Sequence, residues 1–180
     1  MTDTPAPELL FNMDLLIEKG MLSFDRILAD GQFFFPKVVY EQDDQIRVSM
    51  YDSDYGAFRE LCMMIATQGP LTGISHTADS YFMDTTMTAP GVAERRLAGF
   101  GTLEELFQEG TQGVFESLSI VLVEADLTTT SVYVPYIRHA GNTVEWLPVQ
   151  YPPEWVATKG RVPRLLRATV RYSQGERARR

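Results

Sequence analysis

Three runs decide the fold: SLSIVLVEA at Ser117–Ala125, SVYVPYIR at Ser131–Arg138 and TVEWLPV at Thr143–Val149. Each is strand-length and rich in β-branched and aromatic residues. Turn-forming stretches separate them, Asp126 to Thr129 and then Ala140-Gly141-Asn142. Spacing this short joins antiparallel neighbours and leaves no room for a crossover helix, so the three runs predict a β-meander.

The same grammar recurs upstream. Phe33 to Glu41 and Gln45 to Tyr51 flank the polar Gln42-Asp43-Asp44, which predicts a hairpin. Pro36 cannot donate to a ladder, so the first of these strands lies at an edge or starts after it. In the second, Ile46, Val48 and Met50 alternate with Arg47 and Ser49. Ser75 to Met83 is the sixth candidate strand. A helix enters at Thr4-Pro5-Ala6-Pro7, carries Leu9, Leu10, Met13, Leu16 and Ile17 at helical spacing, and is expected to stop at Gly20. A second is capped by Asp52 or Asp54 and ends at Gly69-Pro70, with Phe58, Leu61, Cys62 and Ile65 on its apolar face. Thr102 and Glu105 form a capping box that opens a third, short helix, and Thr85 to Gly101 reads as a long loop. The expectation is a single α+β domain: a largely antiparallel mixed sheet of about six strands, packed with two or three helices.

Composition sets the class. The chain has 180 residues, 44% of them hydrophobic and 22% charged, enough to build one core without staples. Cys62 is the only cysteine, so no intrachain disulfide forms. The opening MTDTPAPELLF lacks the basic start of a signal peptide, and no apolar run approaches a membrane span. A cytoplasmic protein, with no membrane partner, is expected.

Charge is sorted by position. Residues 1–158 hold 8 Lys+Arg against 23 Asp+Glu, while residues 159–180 hold 8 against the single Glu176. This divides an acidic domain, 1–158, from a basic C-terminal element and tail, 159–180. Within the latter, Arg164, Arg167, Arg171 and Arg177 are candidate interaction residues. Val162, Leu165, Leu166 and Val170 fit a helix, yet Leu166, Ala168, Val170 and Tyr172 alternate as a strand, and periodicity alone leaves both open. The tail can pair with its own body, hold a second copy, or contact a polyanion such as nucleic acid.

Chemical motifs fail one by one. Gly73-Ile74-Ser75-His76-Thr77 has Thr77 where a nucleophile elbow needs its second Gly. Gly99-Phe100-Gly101 lacks the last Gly of a dinucleotide fingerprint, and no Walker sequence occurs. Asp52-Ser53-Asp54-Tyr55-Gly56 starts like a calcium loop but puts Gly56 and Met63 at ligand positions. Cys62 falls on an inward helix face. His76, Asp79 and Asp84 are the best metal candidates. In a strand His76 and Asp79 face opposite sides, and His76 and Asp84 lie ~26 Å apart if extended. No cofactor is called for. Two aromatic groups, Phe33-Phe34-Phe35 and Trp146 with Tyr151 and Trp155, are candidate contact surfaces, and Phe34 is the member of its triplet expected to be exposed.

The first functional expectation is therefore a non-enzymatic interaction protein, acting on a protein partner or on a second copy of itself through a sheet edge or an aromatic patch. Nucleic-acid association through the tail is the alternative. A variant is an acidic body that imitates nucleic acid, by analogy with phage-type inhibitors. A metal-dependent hydrolase using His76, Asp79 and Asp84 is the third.

Overall fold

The computed structural model describes residues 12–92, 95, 98, 102–152 and 158–175. They form one α+β domain around a six-stranded sheet in which each neighbouring pair is antiparallel. In chain order the elements are α1 (Met13–Ala29), β1 (Lys37–Gln42), β2 (Gln45–Met50), α2 (Tyr55–Ala66), β3 (Gly73–Met83), α3 (Leu103–Gln108), β4 (Val114–Glu124), β5 (Thr129–His139), β6 (Thr143–Trp146) and α4 (Arg161–Ser173). The strand order across the sheet is β2-β1-β3-β4-β5-β6.

Strand alternation divides the core into two layers. On one face Leu118, Ile120 and Leu122 of β4, with Val132, Val134 and Tyr136 of β5, meet Leu16, Phe24 and Leu28 of α1. On the other, Ile74, Val121 and Val123 meet Phe58, Cys62 and Ile65 of α2 together with Leu166 and Val170 of α4. A smaller cluster, Val92, Leu106 and Val114, seats α3 at the end of β3 and β4.

One sequence expectation changes, the stop at Gly20, and two alternatives left open are decided. Helix α1 is capped by Asn12, whose side chain accepts from the Leu15 N–H, and it runs through Gly20 to Ala29. Gly20 is a packing residue: a Cβ there would stand 3.0 Å from Leu118 Cδ2. The helix lies close on β4 because this position has no side chain. The expected entry at Thr4-Pro5-Ala6-Pro7, with Leu9 and Leu10, lies outside the described residues. Strand β1 begins after Pro36, which leaves Phe33 to Phe35 in the connection from α1. Residues 161–173 are helical: the buried positions Pro163, Leu166, Thr169, Val170 and Ser173 recur at spacings of three and four, which form one stripe only on a helix, while Arg164 and Arg171 face outward.

The expected caps form. Asp54 accepts from the Ala57 N–H. Thr102 and Glu105 satisfy one another's backbone N–H groups. The β1–β2 turn places Asp43 and Asp44 at φ 52° and 58°, the two left-handed positions of a type I′ hairpin.

Candidate functional site

Strand β2 is an open edge. In a two-residue I′ hairpin the flanking pair, here Gln42 and Gln45, exchanges both hydrogen bonds. Alternation from that pair leaves the N–H and C=O groups of Ile46, Val48 and Met50 pointing away from β1. Their side chains are also exposed, at 41%, 60% and 69%. They lie on the α1 side of the sheet, since Val48 is opposite Val39. Beside them a groove of about 280 Å³ is lined by Leu15, Leu16 and Gly20 of α1, Val39 of β1 and Ile46 and Val48 of β2. Lys37 also borders it, with its ammonium 5.3 Å from the Phe34 ring centre; burial lowers its pKa. No proline or lysine interrupts β2. The opposite edge is built differently. Strand β6 has four residues, carries Glu145, and ends before Pro148, with Gln150 bridging back to Tyr133. Short edges interrupted by proline resist strand addition; β2 is longer and free of proline, and Arg47 is its one charge, on the face opposite Ile46, Val48 and Met50.

A polar cluster occupies the far end of the same face. Asp79 on β3, Glu116 on β4, and Tyr136 and Arg138 on β5 meet because the register places Glu116 opposite Tyr136 and both strands alternate in phase. The Tyr136 hydroxyl donates to Asp79 Oδ1 at 2.7 Å. Arg138 Nε donates to Glu116 Oε1 at 2.8 Å and Oε2 at 3.0 Å. Arg138 Nη2 reaches the Tyr136 oxygen at 3.0 Å and Asp79 Oδ2 at 3.4 Å. Burial raises the pKa of Asp79, against the opposing pull of Tyr136 and Arg138. Burial likewise raises that of Glu116, and the phenol of Tyr136 is held protonated by burial and by the neighbouring Asp79 charge. Burial of Trp146 against Phe24 and Tyr136 supports this end of the sheet, and its indole N–H donates to Asp25.

The metal candidates do not converge. His76 and Asp79 point to opposite faces of β3. His76 is 6% exposed and packs against Phe58 and Tyr51. Its Nε2 lies 2.5 Å from the Tyr51 hydroxyl. Burial lowers its pKa to about 4 and raises that of Tyr51, so a neutral imidazole accepting from the phenol is the assigned state. Asp84 lies past the end of β3, where its carboxylate caps a turn through Thr86 N–H and Oγ1, which depress its pKa. Among the described residues no group of three or more His, Cys, Asp or Glu is arranged to hold a metal. Ser75 is buried within a regular strand, with no strand-to-helix elbow. Cys62 is buried, which pushes its thiol up to about 12.

The basic candidates separate. Arg164 and Arg171 are exposed on α4, and Arg167 donates through Nη2 to the Thr158 carbonyl at 2.6 Å. Arg161 lies over the Tyr55 ring. Among the described residues none of these four forms an ion pair with a carboxylate. Arg177 and Trp155 lie outside the described residues. The aromatic triplet is the reverse of its expectation: Phe34 is half-buried against Phe24, while Phe33 is 87% exposed and Phe35 is exposed as well. The three residues still alternate, but in the opposite phase, because they precede the strand and follow the path of the connection from α1.

Among the described residues no helix is long and apolar enough to cross a membrane. In comparisons with known proteins the chain matches no family model, no curated protein and no solved structure. The fold and site therefore define only a class, a mixed α+β domain with one open sheet edge.

Proposed function

We propose that this chain is a non-enzymatic interaction protein that self-associates, two copies pairing β2 against β2 in antiparallel register. The observation that carries this reading is the unprotected β2 edge, with three outward-directed backbone positions whose apolar side chains share one exposed face. Edge pairing supplies main-chain hydrogen bonds, and side chains on alternate positions supply selectivity. The strand is self-complementary about Val48. A two-fold axis there sets Val48 against Val48 of the second copy, Ile46 against Met50, and Arg47 against Ser49, so no two arginines oppose each other. The apolar groove beside Ile46 and Val48 would be covered by the same contact.

The charge pattern gives this reading a signature. The register brings Asp44 of one copy near Asp52 of the other, on chains of net charge −8. Salt screens that repulsion, so association tightens as ionic strength rises. A nucleic-acid complex weakens under the same change. That second reading is supported by the exposed, carboxylate-free Arg164 and Arg171.

Light scattering coupled to size-exclusion chromatography tests the proposal. The full chain is expected at twice its chain mass in high salt. Val48→Lys, which introduces the charge that natural edges use as a blocker, is expected at the single-chain mass. Arg164→Glu with Arg171→Glu should leave the paired mass unchanged. A wild-type monomer at every salt concentration, or a pair that survives Val48→Lys and dissolves in the arginine variant, overturns the reading. Nucleic acid co-purifying in a salt-sensitive manner moves the assignment to α4.

A further inference from the structure

We propose that the pocket between the α1–β1 connection and the β5–β6 hairpin binds a neutral polyhydroxylated ligand, a saccharide. The pocket measures about 290 Å³, at the small end for a ligand site. Gln32, Phe33, Asp79, Arg138 and Asn142 line it. No lining residue is shared with the groove at the β2 edge, so this proposal stands or falls independently of self-association.

The hydrogen-bonding inventory narrows the ligand. Arg138 spends Nε on Glu116 and Nη2 on Tyr136 and Asp79, and among the described residues Nη1 has no hydrogen-bond partner. Asp79 Oδ1 accepts from Tyr136, Oδ2 is approached by Arg138 at 3.4 Å, and the Ser80 backbone N–H also supports the carboxylate. The side-chain amides of Gln32 and Asn142 make no hydrogen bonds among the described residues. The lining thus offers a guanidinium donor, a carboxylate acceptor and two amides that do both. Adjacent hydroxyls, each donor and acceptor at once, match this alternation.

Charge excludes the simpler ligands. An anion would approach two carboxylates, Asp79 and Glu116, that face a single guanidinium. A cation would meet Arg138, which already holds the space between those carboxylates. A metal ion would have to displace the same guanidinium. The remaining unexplained feature is Phe33, exposed at 87% beside a polar pocket. An aromatic face next to hydrogen-bonding groups suits the C–H face of a sugar ring, which is apolar while its edge is polar.

The pocket also has a rigid frame. Asp79, Tyr136 and Arg138 are fixed by the sheet, and Gln32, Phe33 and Asn142 border the same pocket from the two loops. Gly31 takes φ 68°, and a Cβ there would be 3.9 Å from the Asn142 amide nitrogen, so the turn after α1 sits against the hairpin tip.

The test is a titration of the nitrogen-15-labelled full chain with glucose, galactose, mannose and N-acetylglucosamine, followed by amide chemical shifts. At least one sugar should give saturable shifts at Gln32, Phe33 and Asn142, with Kd in the range of about 1–10 mM. Phe33→Ala and Asn142→Gly should each weaken that binding about tenfold without moving the thermal midpoint. Asn142 has φ 58°, a conformation glycine adopts freely, so the second variant removes the amide and leaves the turn intact. No saturable shift with any of the four sugars at about 50 mM overturns the proposal. So does binding that both variants leave unchanged, or an equal saturable response of these residues to arginine or acetate.

Discussion

Acidifying the protein from pH 7 to pH 5 should destabilise it through one side chain, His76. The imidazole lies within the α2 layer, against Phe58, with Tyr51 at its Nε2. Its pKa falls from 6.5 to about 4 because burial penalises the cation. The unfolded chain therefore takes up this proton before the folded one does. Stability from His76 is complete above pH 6.5 and is lost as pH falls through the interval down to about 4. The full interval corresponds to about 3 kcal/mol, and the part between pH 7 and pH 5 to about 2 kcal/mol. Two groups act in the opposite sense. Asp79 and Glu116 have raised pKa values, so the folded state binds their protons more readily and acid stabilises through them. The wild-type curve alone mixes these contributions. The informative quantity is the difference between wild type and His76→Gln, measured by urea unfolding followed by intrinsic fluorescence at pH 7, 6 and 5. The wild type should lose about 2 kcal/mol more than the variant over that range. Parallel curves for the two proteins would refute the claim that His76 is buried as a neutral acceptor of the Tyr51 proton.

Two buried positions, Leu166 and Gly20, give packing predictions. Leu166→Ala removes a fully buried side chain of α4 and should cost about 2–5 kcal/mol by denaturant unfolding; a cost near zero would mean that α4 does not complete the α2 layer. Gly20→Val places branched methyls against Leu118 and Ile120 and should lower stability by about 1–3 kcal/mol, whereas a gain would show that α1 can lift from β4 freely.

The meander and the first hairpin were readable because their alternation and their turn residues pointed to the same answer. Leu118, Ile120 and Leu122 alternate in sequence and fill one face in space. Where local signals conflicted, the sequence was ambiguous or misleading. Residues 162–172 satisfy both periods, and only the stripe of α2 they bury against selects the helix. Gly20 carries the usual mark of a helix end, but its role is set by Leu118, a residue nearly a hundred positions away. Phe34 is turned inward, against expectation, because Pro36 delays the strand and the connection that carries the three phenylalanines sets their phase by packing Phe34 on Phe24. The Asp79–Glu116–Tyr136–Arg138 cluster had no linear signature at all. Its members come from three strands, and the pairing register that joins them is a tertiary property. The one available hint was that Arg138 ends an otherwise apolar strand predicted to neighbour the one that starts just after Glu116.

The two borders of the sheet differ in what they allow an assembly to become. A chain with two receptive borders adds copies at both ends, and nothing stops the chain of additions short of a fibre. Here β6 is short, charged and followed by prolines, so among the described residues β2 is the one border open to another strand. Any pairing at β2 uses up the sole receptive border of both participants. Growth by strand addition therefore terminates at two copies, a ceiling set by the asymmetry of one sheet.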